Sequence, residues 1–146
     1  MATVIDGLID DDSKPYWSGL SEGRLLLKRC LACGYVRPPA VYRTKQPSAW
    51  LCPNCLSEDG RWEQMSGTGV VETFVWYMED LIAASPDFEP FKLPLPYNVA
   101  LVRLDEGPRV ITNVLEVEMG ALGVGDRVRA AFVPVQGRTI LRFQPA

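Results

Sequence analysis

A mainly β protein is predicted: one short helix near the N-terminus, a small cysteine-knuckle ribbon, and a five-stranded barrel filling the second half of the chain. Three observations carry this. One early segment of the 146 residues reads as a helix. The four cysteines fall into two C-x2-C pairs. From Gly67 onward, runs rich in β-branched and aromatic residues alternate with turns bearing Gly, Pro and Asp. With 47% hydrophobic residues the composition is that of a globular protein, and at this length about 70% of the unfolded surface can be buried. The length suits one domain, or small units sharing a core. Boundaries are drawn at 1–23 for an acidic lead and helix, 24–66 for the ribbon and 67–146 for the barrel.

Residues 1–12 have neither the basic nor the apolar region of a signal peptide, and no apolar run exceeds four or five residues. A cytoplasmic protein without a membrane segment is the expectation. Ser13 followed by Lys14-Pro15 marks a helix start, the serine as cap and the proline in the first turn, and Gly23 stops the helix after about Glu22. Tyr16, Trp17 and Leu20 share one face of that helix, a stripe that suits either a core or a partner. Residues 24–29 (RLLLKR) read as a strand entering the first knuckle. Residues 35–51, with Pro38, Pro39 and Pro47, form an extended excursion, and 61–66 a second strand whose Trp62 covers the ribbon.

Cys30-x2-Cys33 and Cys52-x2-Cys55 lie eighteen residues apart, within the spacing of about 15–20 that two-knuckle zinc sites use. Two residues between thiolates let a tight turn aim both sulfurs at one ion, and two turns complete a tetrahedral four-thiolate site. Gly34 supplies a positive φ after the first knuckle and Pro53 pre-sets φ in the second. Disulfides would need an exported protein, and a redox pair a βαβ context. Structural zinc, one ion per chain, is therefore expected. Such a closed site folds the chain and has no open position for chemistry.

Five strands are read after the ribbon: Val70–Tyr77, Tyr97–Leu104, Arg109–Val117, Arg127–Val133 and Thr139–Phe143, with a loop or helix between the third and fourth. That is the plan of an OB-fold barrel. The fourth alternates, Val128, Ala130 and Phe132 on one side, Arg127 and Arg129 on the other. Residues 79–96 interrupt the rhythm with four prolines and two phenylalanines. A long loop inside a compact domain tends to be functional, so Phe88 and Phe91 are candidate contacts, with a cap over the barrel end as the alternative.

Charge and absences narrow the chemistry. There is no histidine, which excludes Ser-His and Cys-His nucleophile pairs. Residues 1–22 carry five acids and one base, whereas 24–45 carry six bases (Arg24, Lys28, Arg29, Arg37, Arg43, Lys45) and no acid. This stretch either holds phosphates or is a solvated face balanced by the acidic lead. An enzyme working through Glu72 or Asp105 would need a second catalytic group, which the sequence does not supply.

The ordered set of motifs resembles a known family: zinc-ribbon-plus-OB-fold proteins once catalogued as a domain of unknown function and associated with acyl-CoA metabolism. The resemblance lies in Tyr16-Trp17-Ser18-Gly19-Leu20, Gly23-Arg24-Leu25, Arg29-Cys30-x2-Cys33-Gly34, Pro38-Pro39 and Cys52-Pro53-x-Cys55. It continues through Gly67-x-Gly69-Val70-Val71, Leu95-Pro96-Tyr97-x-Val99-Ala100-Leu101-Val102, Leu104–Arg109 and Arg142-Phe143-x-Pro145. It implies a rubredoxin-like zinc ribbon, with Cys30, Cys33, Cys52 and Cys55 as ligands, on an OB-fold domain. It also implies a non-catalytic accessory subunit that docks on a thiolase-fold enzyme in a heterotetramer or larger assembly and helps bind the coenzyme A arm of an acyl thioester. Thiolases, thiolase-like retro-aldolases and acyltransferases are the partners implied. Tyr16 and Trp17 become candidate partner contacts, and Arg37, Arg43 and Lys45, from charge alone, candidate coenzyme A contacts. The competing reading is a ribbon and OB domain binding nucleic acid through a basic groove and stacking aromatics. The acidic pI of about 5.0 and barrel strands without a basic cluster weigh against it.

Overall fold

The computed structural model describes residues 6–7, 9–39, 50–80 and 89–146. Helix α1 (Lys14–Ser21) lies where the sequence puts it, but its cap is one turn earlier. The Asp10 carboxylate accepts the Ser13 amide at 2.8 Å, and the Ser13 hydroxyl accepts the Asp10 amide at 3.0 Å. This is a reciprocal capping box in which Ser13 is the third residue and Asp10 the cap. At the other end Gly23, at φ +73, places the Arg24 amide on the Gly19 carbonyl at 2.8 Å and its own amide on Leu20 at 3.1 Å. These are the paired bonds of a Schellman stop, which needs the left-handed residue.

Strands β1 (Leu26–Cys30) and β2 (Gly60–Gln64) pair antiparallel, setting Lys28 opposite Trp62. The second sheet contains β3 (Thr68–Tyr77), β4 (Tyr97–Leu104), β5 (Arg109–Thr112), β6 (Arg127–Val135) and β7 (Arg138–Pro145), in the order β5-β4-β3-β6-β7. A parallel bridge from Val114 to Phe143 joins the two ends of that order, giving a nearly closed OB-fold barrel. Gly69 is obligatory in β3, because a Cβ there would lie 2.4 Å from the Arg103 carbonyl oxygen of β4.

The third barrel strand ends at Thr112, not at Val117 as expected. The reason is Asn98, an inward position of β4 that is 3% exposed. Its side chain donates to the Val114 carbonyl and accepts the Val114 amide, both at 2.8 Å. A side-chain amide thus replaces the next ladder rung. The main chain swings over to β7, where Phe143 donates to Asn113 at 3.0 Å and Leu115 to Phe143 at 2.7 Å. The connection 113–126 contains turns and no helix.

One buried cluster spans all the parts. Leu20 of α1, with Leu25, Leu27, Val36 and Met65 of the ribbon, joins Val71, Ala100, Val102, Leu104, Val128 and Phe143 of the barrel. Burying each such large side chain is worth about 1.5–3 kcal/mol. The helix and ribbon base are therefore held to the barrel by shared core. Among the described residues no helix is long and apolar enough to cross a membrane.

Candidate metal centre

The four cysteines converge at the tip of the ribbon. Their sulfurs all lie within 4.8 Å of one another, with Cys30–Cys55 and Cys33–Cys52 both at 3.6 Å. A disulfide would bring two sulfurs to about 2.05 Å; a tetrahedral ion with metal–sulfur bonds of about 2.3 Å spaces them about 3.8 Å apart. The donor set and spacing fit an ion such as zinc.

The two knuckles are built alike. Cys30 donates its amide to the Tyr35 carbonyl and accepts from the Gly34 amide; Cys52 donates to Ser57 and accepts from Leu56. In each, the residue after the second cysteine has positive φ, +78° at Gly34 and +62° at Leu56. Glycine adopts this freely, whereas leucine pays for it in strain of about 1 kcal/mol. The sequence reading found Gly34 and missed Leu56, since nothing about a leucine advertises a left-handed backbone.

Donors aimed at the sulfurs favour thiolates. The Asn54 side chain, at 3.4 Å, and the Tyr35 amide hold Cys33 down to about 6. The Cys33 and Ala32 amides lower Cys30. Although the Ser57 amide also donates to Cys55, burial and the three neighbouring sulfurs push that thiol up to about 12. Four negative sulfurs cannot share this volume without a cation, which is the demand a bound metal meets.

Trp50 backs the cluster, buried against Cys30 and Cys52. Its indole fits only because residue 60 is glycine, where a Cβ would lie 2.5 Å from the ring nitrogen. The Lys28 ammonium lies 5.1 Å from the Trp50 ring and 5.8 Å from Trp62, and the Arg37 guanidinium lies 5.0 Å from Trp50.

Of the four described bases of this stretch, three have an acid partner, and Lys28 lies over the two indoles. Arg24 pairs with Glu22 at 2.5 Å, Arg29 with Glu63, and Arg37 with Asp12 at 3.1 Å. Glu22, Asp12 and Glu63 thus offset part of the ribbon's positive charge, and Arg37 is engaged by Asp12 and Trp50. Arg43 and Lys45 lie outside the described residues, as does Phe88. Phe91 is half-buried at the barrel end, where its carbonyl accepts a bond of 2.8 Å from Arg142. Tyr16 and Trp17 meet edge to face at 5.1 Å and pack on the core, each with part of its surface exposed.

The two carboxylates considered for catalysis face cations. Glu72 is bonded by Arg109 at 2.6 Å and Arg103 at 2.9 Å; Asp105 by Arg127 at 2.7 and 2.9 Å and by the Thr68 hydroxyl at 2.5 Å. Arg109 lowers the Glu72 carboxyl, and Arg127 holds Asp105 well below the usual carboxylate range. Groups held ionised in this way are poor general acids.

Comparison with known proteins agrees with this architecture. The family described as "ChsH2, C-terminal OB-fold domain" matches residues 62–133. A "DUF35 domain-containing scaffold protein" of Methanothermobacter thermautotrophicus is 31% identical over 110 residues, 74% of this chain and 71% of that one. A "Probable enoyl-CoA hydratase alpha subunit" of Thermomonospora curvata is 30% identical over 117 residues, and this chain spans only 32% of its length. A solved structure named "Ltp2-ChsH2(DUF35) aldolase" superposes with a TM-score of 0.71 at 27% identity, covering 94% of this chain and 96% of that one. The chain belongs to the DUF35 family, whose zinc-ribbon and OB-fold architecture its residues build.

Proposed function

We propose that the chain is a non-catalytic accessory subunit of a thiolase-type complex that makes or breaks a C–C bond in an acyl-CoA substrate. It docks on a thiolase-fold partner and helps seat the coenzyme A arm. The observation that carries this reading is the likeness of 94% of the chain to one from an aldolase structure whose name pairs ChsH2 with a second protein. A degradative β-ketoacyl-CoA thiolase, including one for aromatic acyl groups, is the leading partner; a thiolase-like retro-aldolase is the alternative. A cytoplasmic heterotetramer or larger assembly, one structural zinc per chain and contacts from Tyr16, Trp17, Phe88 and Phe91 belong to the same proposal. The zinc ties the two knuckles into one rigid tip. Nucleic acid is the poorer fit, because Arg24, Arg29 and Arg37 are each paired with an acid of this chain.

The ribbon tip supplies a docking surface for such a partner. Leu31, Leu51 and Leu56 surround the metal centre and are all exposed, Leu56 at 72%. Leu56 costs the isolated subunit twice, in apolar exposure and in backbone strain, which suits a side chain that enters a partner's pocket.

The test is native co-purification of tagged protein, with wild type beside Leu56→Gly. A thiolase-fold protein in near-stoichiometric amount is expected with wild type. The variant, relieved of strain, should be at least as stable while recovering much less partner. Wild type recovered alone, or with nucleic acid, would overturn the proposal.

A further inference from the structure

The barrel end beside Phe91, Lys92 and Leu93 holds a cavity of about 170 Å³ that the accessory role does not require. At its base is Arg142 on β7, only 9% exposed. Its guanidinium donates to the Asn113 side-chain oxygen and, at 2.8 Å, to the Phe91 carbonyl. Both acceptors are neutral, and among the described residues no carboxylate pairs with Arg142. Burial lowers the guanidinium's proton affinity, but an arginine side chain stays charged at neutral pH. A full positive charge is thus withdrawn from water with only two of its five N–H donors assigned.

The remaining lining indicates what would answer that charge. Phe91, Leu93 and Tyr97 supply apolar and aromatic walls, and Tyr97 is itself braced by stacking on Tyr77 at 5.2 Å. At the rim, Lys92 and Asp80 face each other at 3.3 Å. Among the described lining residues, Asp80 offsets Lys92 and leaves Arg142 as the cation at the base of a largely apolar space. The volume is close to the roughly 150 Å³ that accommodates a benzene-sized group. Guanidinium geometry matches the planar two-oxygen fork of a carboxylate. A doubly charged phosphate would be matched by one cation only and would lie near Asp80.

We propose that this cavity is a binding site for a monocarboxylate carrying a ring-sized apolar body, with Arg142 as its anion contact and Phe91, Leu93 and Tyr97 as its walls. Phe91 is the one described residue this site shares with the proposed docking contacts; ligand titration of the chain alone therefore decides this proposal whatever the co-purification shows.

The zinc-loaded full chain is titrated with benzoate, with the isosteric neutral benzamide, and with N-acetylglutamate N-methylamide, following backbone amide shifts by NMR. Benzoate should perturb Phe91, Leu93, Asn113 and Arg142 and saturate at a concentration lower than benzamide by about tenfold or more, the step expected for a charge-assisted bond. Arg142→Gln should remove that discrimination and Arg142→Lys should keep part of it. Benzoate should also bind more tightly than the glutamate derivative, which has the carboxylate without the ring, and the reverse order would overturn the ring-sized body. Benzamide binding as well as benzoate, shifts confined elsewhere, or no binding of either carboxylate would each overturn the proposal. The comparison of ligands on wild type decides even if Arg142→Gln does not fold.

Discussion

Replacing Asn98 by alanine should open the barrel seam. The side chain satisfies both the amide and the carbonyl of Val114, a residue 3% exposed that water does not reach in the closed barrel. Leaving a buried backbone group unpaired costs about 1–3 kcal/mol, so two such groups put the loss at about 2–6 kcal/mol. Against a total stability of about 5–15 kcal/mol this is severe. For a chain of 146 residues it corresponds to a fall in Tm of roughly 7–20 °C. Urea unfolding followed by far-UV circular dichroism, in the presence of zinc, measures it. Asn98→Asp supplies a control of nearly the same shape. At neutral pH it keeps an acceptor for the Val114 amide but offers no donor to the Val114 carbonyl and buries a charge. Its deficit should shrink on acidification, as a protonated carboxyl regains a donor. A loss for Asn98→Ala of less than about 1 kcal/mol, with an unchanged denaturant slope, would refute the idea that this side chain closes the barrel.

Metal analysis of fresh, unchelated protein should find one zinc per chain; a value well below that would end the zinc assignment. Cys52→Ser should lose the ion and unfold the ribbon while barrel strands persist in part, read as lost near-UV signal from Trp50 and Trp62 with far-UV signal retained. Gly60→Ala drives a Cβ into the Trp50 indole; overpacking of this kind costs about 1–3 kcal/mol and should shift tryptophan emission, and an unchanged Tm and spectrum would show that the ring moves freely. Asp105→Asn removes a carboxylate whose folded pKa is depressed, first by Arg127 and then by Thr68. The wild-type advantage should be complete above about pH 4, the unfolded value, and should vanish as pH falls through the lower folded one. Thermal melts across that range check it, and a gap that widened toward acid would contradict the pairing.

The parts of this protein legible in the sequence are those determined over short range. Two C-x2-C turns define the metal cluster because knuckle geometry is local, and Gly23 marks the helix stop because one left-handed residue is all that the motif needs. The strands at 70–77, 97–104 and 127–133 follow from period-two patterning, and their number and order already indicate an OB-fold. What only the tertiary structure decided depends on groups distant in sequence. The strand from Arg109 breaks at Thr112 because Asn98 intercepts Val114, although alternation along β4 does place a polar residue at an inward position there. The basic stretch of the ribbon has no acid within its own segment; folding brings Asp12 onto Arg37 and Glu63 onto Arg29. Likewise the closing Arg142-Phe143 motif reads as a plain strand end. Only closure of the barrel buries that guanidinium beside Asn113 and Phe91, because the desolvation of a charge is set by every element that surrounds it and by no one of them alone.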